Sequence, residues 1–103
     1  MPADPYRTKA DMLRKSVTEG PALLAPATRQ SAFANDGLHG PAADLVAQVH
    51  RDAMGVRDEQ VTALQATHTE AEVFELLVAA ASGAGYARLQ CALAAIDAAE
   101  AGR

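Results

Sequence analysis

The side chains best suited to chemistry near neutral pH are three histidines and one cysteine: His39, His50, His68 and Cys91. His50, in the segment VAQVHRDAM, is the strongest candidate for a general base. Imidazole titrates near neutral pH, and Asp52 or Glu59 could orient the ring. The competing interpretation is a surface or partly packed histidine, because a single histidine carries no spacing signature.

Cys91 is the second candidate for a catalytic residue. It could act as a one-cysteine peroxidatic thiol if its pKa were lowered, and Arg88, three residues earlier, is the nearest cation in the sequence. The competing interpretation is a buried packing residue, since a cysteine in an apolar helix usually behaves as a small hydrophobe.

No metal or cofactor site is expected. His39 and His50 are 11 residues apart and would lie about 20° from alignment on a continuous helix, but Gly40-Pro41 interrupts that helix. No two of the histidines and Cys91 show zinc-ligand spacing. His68 is expected to be an exposed loop residue.

The amino-acid composition limits the kinds of partner and the cellular location that we expect for this protein. The 103 residues form one domain with a net charge of −4, which argues against a nucleic-acid partner. A single cysteine excludes an internal disulfide and fits a reducing cytoplasm. The N-terminus lacks an apolar signal region, and no apolar run approaches the roughly 20 residues of a membrane span. We therefore predict a cytoplasmic protein without a membrane partner.

Hydrophobic periodicity predicts an all-α bundle of about five to six helices and no sheet. The first four are predicted over 8–19, 26–34, 40–54 and 57–67, after an extended arm at 1–7. Met12, Leu13 and Val17 should form the apolar side of the first helix, and Leu45, Val46 and Val49 that of the third. Gly55 is expected to end the third helix in a left-handed conformation, and Asp58 to cap the fourth.

The last third of the chain predicts two more helices around a small-residue joint. Thr69 and Glu72 match a capping box. Glu75 lies off the apolar stripe and should be exposed. Gly83 and Gly85 could end a helix, kink it, or let two backbones approach closely.

The aromatic residues Tyr6, Phe33 and Tyr86 could line a small apolar pocket, or simply pack together. Half of the residues are hydrophobic, but alanine accounts for much of that fraction. Each buried alanine removes little apolar area from water, so a monomer would be marginal and a homo-oligomer is expected.

Residues 40–97 resemble the carboxymuconolactone decarboxylase and alkylhydroperoxidase-D-like superfamily. The similarity lies in RDEQV (57–61), TEAEVFEL (69–76) and the AAASGAG joint (79–85). The segment LRKSVTEGPALLAPATRQSAF (13–33) is similar to the leader that precedes this core. The resemblance implies an oligomeric all-α fold and, for redox members, peroxidase activity. Those members use a Cys-x-x-Cys pair, which this chain lacks.

Three functional hypotheses follow. The first is a non-redox, oligomeric family member that acts as an accessory or small-molecule-binding protein, with a small apolar or acidic ligand held at a subunit interface. The alternative is an enzyme, either a single-cysteine peroxidase on Cys91 or a lyase or isomerase of small acids or lactones using His50. Residues 1–37 would form an arm with short helices, which could swap between subunits, and residues 38–103 the helical core of one domain. An assembly module without any ligand is a third possibility.

Overall fold

A computed structural model describes residues 5–102 of the chain, and every regular element in that range is helical. The all-α prediction is thus confirmed, with five α-helices and one short 3₁₀ turn. In chain order these are α1 (Pro5–Glu19), α2 (Pro26–Ala34), α3 (Gly40–Asp52), the 3₁₀ turn (Ala53–Gly55), α4 (Asp58–Gln65) and α5 (Glu70–Ala101).

The longest helix, α5, runs without interruption through the predicted joint. It spans 32 residues, Glu70–Ala101, and at about 1.5 Å per residue it is roughly 48 Å long. The prediction of two separate helices over this segment is therefore wrong. Two glycines lower helix propensity by only about 1 kcal/mol each, and packing along one face of α5 outweighs that penalty.

Gly83 fulfils the third role proposed for the glycine pair, close approach of two backbones. It is buried, and a Cβ at this position would overlap the backbone carbonyl group of Phe33 at the end of α2. Only glycine lets α2 cross α5 at this distance. Residue 83 consequently sets the position of α2 on α5.

The hydrophobic core lies between α5 and helices α2, α3 and α4, which pack on it. Its fully buried large side chains are Leu45, Val46, Leu64 and Leu76. The buried stripe predicted for α3 is confirmed, because Leu45, Val46 and Val49 are all buried. Ala32 of α2 joins the same cluster, so residues before 38 contribute to the core.

Helix α1 differs from its prediction at both its start and its apolar side. It begins at Pro5, so the part of the proposed arm that falls within the described residues is helical, and residues 1–4 lie outside them. Met12 and Leu13 are exposed, whereas Ala10 and Thr18 are buried. Val17 is partly buried and packs against the core, so the predicted apolar side is confirmed at Val17 and wrong at Met12 and Leu13.

Helix ends follow local chemistry with two exceptions. The Thr69 hydroxyl accepts a hydrogen bond from the Glu72 backbone amide at 3.1 Å, and the Glu72 carboxylate accepts one from the Thr69 backbone amide at 2.9 Å. These two bonds confirm the capping box. The N-cap of α4 is Arg57, not Asp58. Gly55 does not take a positive φ, and the left-handed residue found at a helix end is Asn35, with φ 56°.

Candidate functional site

His50 is a half-buried residue that joins two helices. Its Nε2 lies 2.8 Å from the backbone oxygen of Ala32 in α2. A carbonyl can only accept, so Nε2 carries the hydrogen and donates it in this bond. Neither Asp52 nor Glu59 forms a hydrogen bond with this ring in the part of the chain described. The geometry therefore gives His50 a packing role between α3 and α2.

Cys91 is exposed on α5. The expectation that a cysteine here would be a buried packing residue is wrong, because α5 extends beyond the core and Cys91 lies on that extension. Arg88 is not directed at the thiol: its Nη2 donates to the backbone oxygen of His50 at 3.4 Å. The guanidinium that could have stabilised a thiolate thus interacts with the carboxyl end of α3.

The remaining histidines do not combine with Cys91. His39 is exposed at the N-cap of α3, and His68 is half-buried with its Nδ1 2.9 Å from the Thr67 hydroxyl. Within residues 5–102 no group of three or more His, Cys, Asp and Glu side chains could hold a metal ion.

The aromatic residues pack as a pair. The rings of Phe33 and Tyr86 lie 5.4 Å apart between centroids and are tilted by 54°, a favourable geometry for aromatic contact. The Tyr86 hydroxyl donates to Asp11 at 3.1 Å and so ties α1 to α5. Tyr6 is exposed.

Glu75 has a specific structural function that the sequence did not indicate. Its two carboxylate oxygens accept the backbone amides of Leu23 and Leu24, at 2.9 and 2.8 Å. The side chain is half-buried, not exposed as predicted, because the segment between α1 and α2 folds over it. Glu75 thereby fastens that segment to α5.

Arg29 is the positively charged side chain that binds the same segment between α1 and α2. It is 4% exposed, and its guanidinium donates to the backbone oxygens of Leu24 at 3.2 Å and Val17 at 3.0 Å. Val17 lies in the last turn of α1, where the helix dipole is negative and carbonyls lack helical partners. No carboxylate lies within ion-pair distance of Arg29 in the described residues, so the α1 carboxyl end stabilises its buried charge.

Arg29 and Glu75 flank an apolar pocket between α1, α2 and α5, which we call the α1–α5 pocket. It has a volume of about 140 Å³ and is open to solvent on one side. Its walls are Ser16, Val17, Pro21, Ala22, Arg29, Phe74, Glu75 and Val78. The volume is close to the roughly 150 Å³ of an enclosed apolar cavity that accepts benzene, but this pocket is an open groove on the surface.

Two further pockets are more polar. One, of about 210 Å³, lies between α3 and α4 and includes Asp44, Arg57 and Glu59. The other, of about 230 Å³, lies at the α2–α3 turn around Asn35 and Asp36. Neither His50 nor Cys91 lines any of the three pockets, so the proposed catalytic residues and the α1–α5 pocket are separate.

The outward face of α5 carries a second unusual feature, a row of exposed apolar residues. Phe74 is 66% exposed, Val78 and Leu89 are each 38% exposed and Ile96 is 53% exposed. By length and composition alone α5 could also cross a membrane, a test that core helices of soluble proteins pass as well.

Comparison with known proteins gives no relative: no protein-family model, no curated protein and no solved structure matches this chain.

Proposed function

We propose that this chain is a non-redox protein that binds a small, mainly apolar molecule in the α1–α5 pocket and functions as a homo-oligomer. The observation that carries the proposal is the pocket itself, an apolar recess of about 140 Å³ between Phe74, Val78 and Val17. Membership of the alkylhydroperoxidase-D-like group is part of the proposal and rests on the sequence resemblance. The cytoplasmic location and the absence of nucleic-acid and membrane partners stay predictions.

The charges around the pocket indicate the class of ligand. Arg29 and Glu75 contribute one charge of each sign, and each has backbone partners already. A charged ligand would meet one attractive and one repulsive side chain, so the pocket favours an uncharged molecule. A single aromatic ring with one hydroxyl group fits both the volume and the polar rim.

A methyl-detected NMR titration with benzyl alcohol tests this proposal, with benzoate as the charged counterpart. Val17 and Val78 methyl signals should shift together, with a dissociation constant in the millimolar range, as expected for a ligand of this size at about 0.5 kcal/mol per heavy atom. Benzoate should bind more weakly. Tighter binding of benzoate would make the ligand an acid, and no saturable shift with either would refute the pocket.

Two alanine substitutions provide the matched control. Ala22→Trp places an indole in the α1–α5 pocket and should abolish the benzyl alcohol shifts. Ala63→Trp places the same side chain in the polar α3–α4 pocket and should leave them unchanged. Both alanines are exposed, so neither change disturbs the core.

The enzyme hypothesis keeps one supporting observation, the exposure of Cys91. A peroxide would oxidise its thiolate to a sulfenic acid, and an external thiol would have to reduce it because the chain has no second cysteine. Peroxide consumption with added thiol, lost in Cys91→Ser, would establish that activity. Equal background rates in both proteins are the expected result. For a lyase or isomerase, His50→Ala would abolish turnover, but Nε2 of His50 is engaged by Ala32.

A further inference from the structure

The large exposed apolar side chains of α5 all lie on one continuous stripe, and they are Phe74, Val78, Leu89 and Ile96. Seven exposed positions recur at intervals of four, three, four, four, three and four residues. At about 100° per residue they lie within an arc of about 80°, and the arc holds no charged residue between 74 and 96. These positions are Phe74, Val78, Ala81, Gly85, Leu89, Ala92 and Ile96, which we call the outer stripe.

This spacing suits a second, nearly straight helix. The interval pattern covers 22 residues in six steps, a mean of about 3.67, which is close to the 3.6 residues of an α-helix turn. The stripe therefore stays on one side of α5 over roughly 33 Å. A partner helix could contact it along that entire length.

The outer stripe is symmetric about Gly85. Phe74 and Ile96 are each 11 residues from Gly85, Val78 and Ala92 are each seven, and Ala81 and Leu89 are each four. A two-fold axis at Gly85 would bring each residue opposite its counterpart in an antiparallel copy. That axis would also place the two helix dipoles antiparallel, which is the favourable arrangement.

Gly85 itself lacks a role within its own chain. Apart from the neighbouring residues and backbone of its own helix, no atom lies within 4 Å of the position that a Cβ would occupy, and its φ is not positive. A glycine inside a helix costs roughly 0.5–1 kcal/mol relative to alanine. At the centre of a two-helix contact it would let the two backbones approach closely, as Gly83 does for α2.

We infer that α5 pairs antiparallel with α5 of a second copy of this chain, along the outer stripe and across a two-fold axis at Gly85. This inference specifies the homo-oligomer of the proposed function. Phe74 and Val78 belong to both the stripe and the α1–α5 pocket, so Ile96 and Ala92 of the second copy would close the pocket's open side.

The expected contact is modest in size. A helix pairing about 33 Å long and about 10 Å wide covers roughly 330 Å² of each partner in projection, below the size of typical stable interfaces. Each copy also carries a net charge of −4, so the copies repel one another at low salt. The dimer should therefore be reversible, dissociate in the micromolar range, and strengthen as salt is added.

Sedimentation equilibrium on the full chain without added ligand tests the contact independently of the pocket. The wild-type protein should follow a monomer–dimer equilibrium. Leu89→Glu puts a charge on the stripe and should raise the dissociation constant at least tenfold. Ala94→Glu puts the same charge on an exposed position outside the stripe and should change it less than threefold. Circular dichroism should show both variants to be folded.

Pulsed electron spin resonance tests the orientation. A nitroxide is attached at Ala101→Cys in a Cys91→Ser background, because residue 101 lies on the side of α5 away from the stripe. The antiparallel pairing places the two labels about 50 Å apart, since they are 32 residues apart along the paired helices. A parallel pairing would bring them within about 30 Å.

Three results would overturn the inference. A monomer at millimolar concentration and high salt would leave the stripe without a second copy, and vesicle binding by such a monomer would assign the stripe to a lipid surface. A dimer that tolerates Leu89→Glu would use another surface. A short distance between the labels would exclude the two-fold axis at Gly85.

Discussion

The two faces of α5 contain the same kinds of residue but have different neighbours. On the inner face, Leu76 and Gly83 are buried against the rest of the chain, and Gly83 lies directly beneath the Phe33 carbonyl. On the outer face, Phe74 is exposed and nothing lies over Gly85. The difference shows that an apolar residue or a glycine gains its meaning from its neighbour, which for the outer face we propose to be a second copy.

Truncating one large side chain on each face should give the largest contrast. Leu76→Ala leaves a cavity in the core and should lower the free energy of unfolding by about 2–5 kcal/mol. Phe74→Ala removes an exposed ring and should change it by less than about 0.5 kcal/mol in the monomer. Urea denaturation at low protein concentration measures both. Comparable losses would mean that the monomer buries Phe74.

Adding one methyl group at Gly83, the inner glycine, should give the next largest change in the free energy of unfolding. The Cβ in Gly83→Ala meets backbone atoms of α2, which cannot rotate away, so α2 must move from α5. Overpacking of this kind costs about 1–3 kcal/mol. The variant should unfold at lower urea and lose the Phe33–Tyr86 ring contact, seen as a change in near-ultraviolet circular dichroism. An unchanged midpoint would refute the close approach.

A substitution of Glu75, at the edge between the two faces, should change the free energy of unfolding by an intermediate amount. Glu75→Leu removes the acceptor of two backbone amides while keeping the volume of the side chain, and should destabilise the protein by about 1–3 kcal/mol. Hydrogen exchange at Leu23 and Leu24 should speed up in this variant. Glu70→Leu, at an exposed position in the first turn, is the control and should leave those two amides protected.

The smallest effect concerns the start of α5, where both faces begin. The hydrogen bond from the Thr69 backbone amide, followed by the hydrogen bond with the Thr69 side chain, holds the pKa of Glu72 below its ordinary value of 4.5. His68 makes a smaller electrostatic contribution in the same direction. A lowered pKa stabilises the folded state above the unfolded-state value, and that stabilisation is lost as the pH falls below about 4.5 through the folded-state pKa.

Glu72→Gln separates this titration from the cap itself, because glutamine also serves in a capping box. The wild-type protein should be the more stable of the two at pH 7, and the difference should vanish toward pH 3. A difference that is constant over this range would show that Glu72 does not contribute through its charge.

Sequence patterns predicted local features better than contacts between distant segments. The capping box, the start of α2 at Pro26 and the buried stripe of α3 depend on neighbouring residues, and all were predictable. The roles of Glu75 and Arg29 were not, because their partners are backbone groups of a turn that no periodicity describes. Of these, only the isolated position of Arg29 in an alanine-rich short helix could have drawn attention.

The glycine pair illustrates the same limit. The sequence allowed Gly83 and Gly85 to end, kink or closely pack a helix, and nothing local could separate these roles. The choice depends on α2, which lies some 50 residues earlier in the chain. The exposed position of Cys91 likewise depends on how far α5 extends beyond the core, which its apolar surroundings in sequence conceal.

The most direct test of the account is the unfolding free energy of Gly85→Ala at two protein concentrations. Below the dissociation constant, alanine should stabilise the monomer by about 0.5–1 kcal/mol, because it favours the helix and meets no atom of its own chain. Well above that concentration, the added methyl groups should separate the paired helices and make the variant less stable than the wild-type protein. Stabilisation of the same size at both concentrations would contradict the claim that the outer face of α5 packs on a second copy.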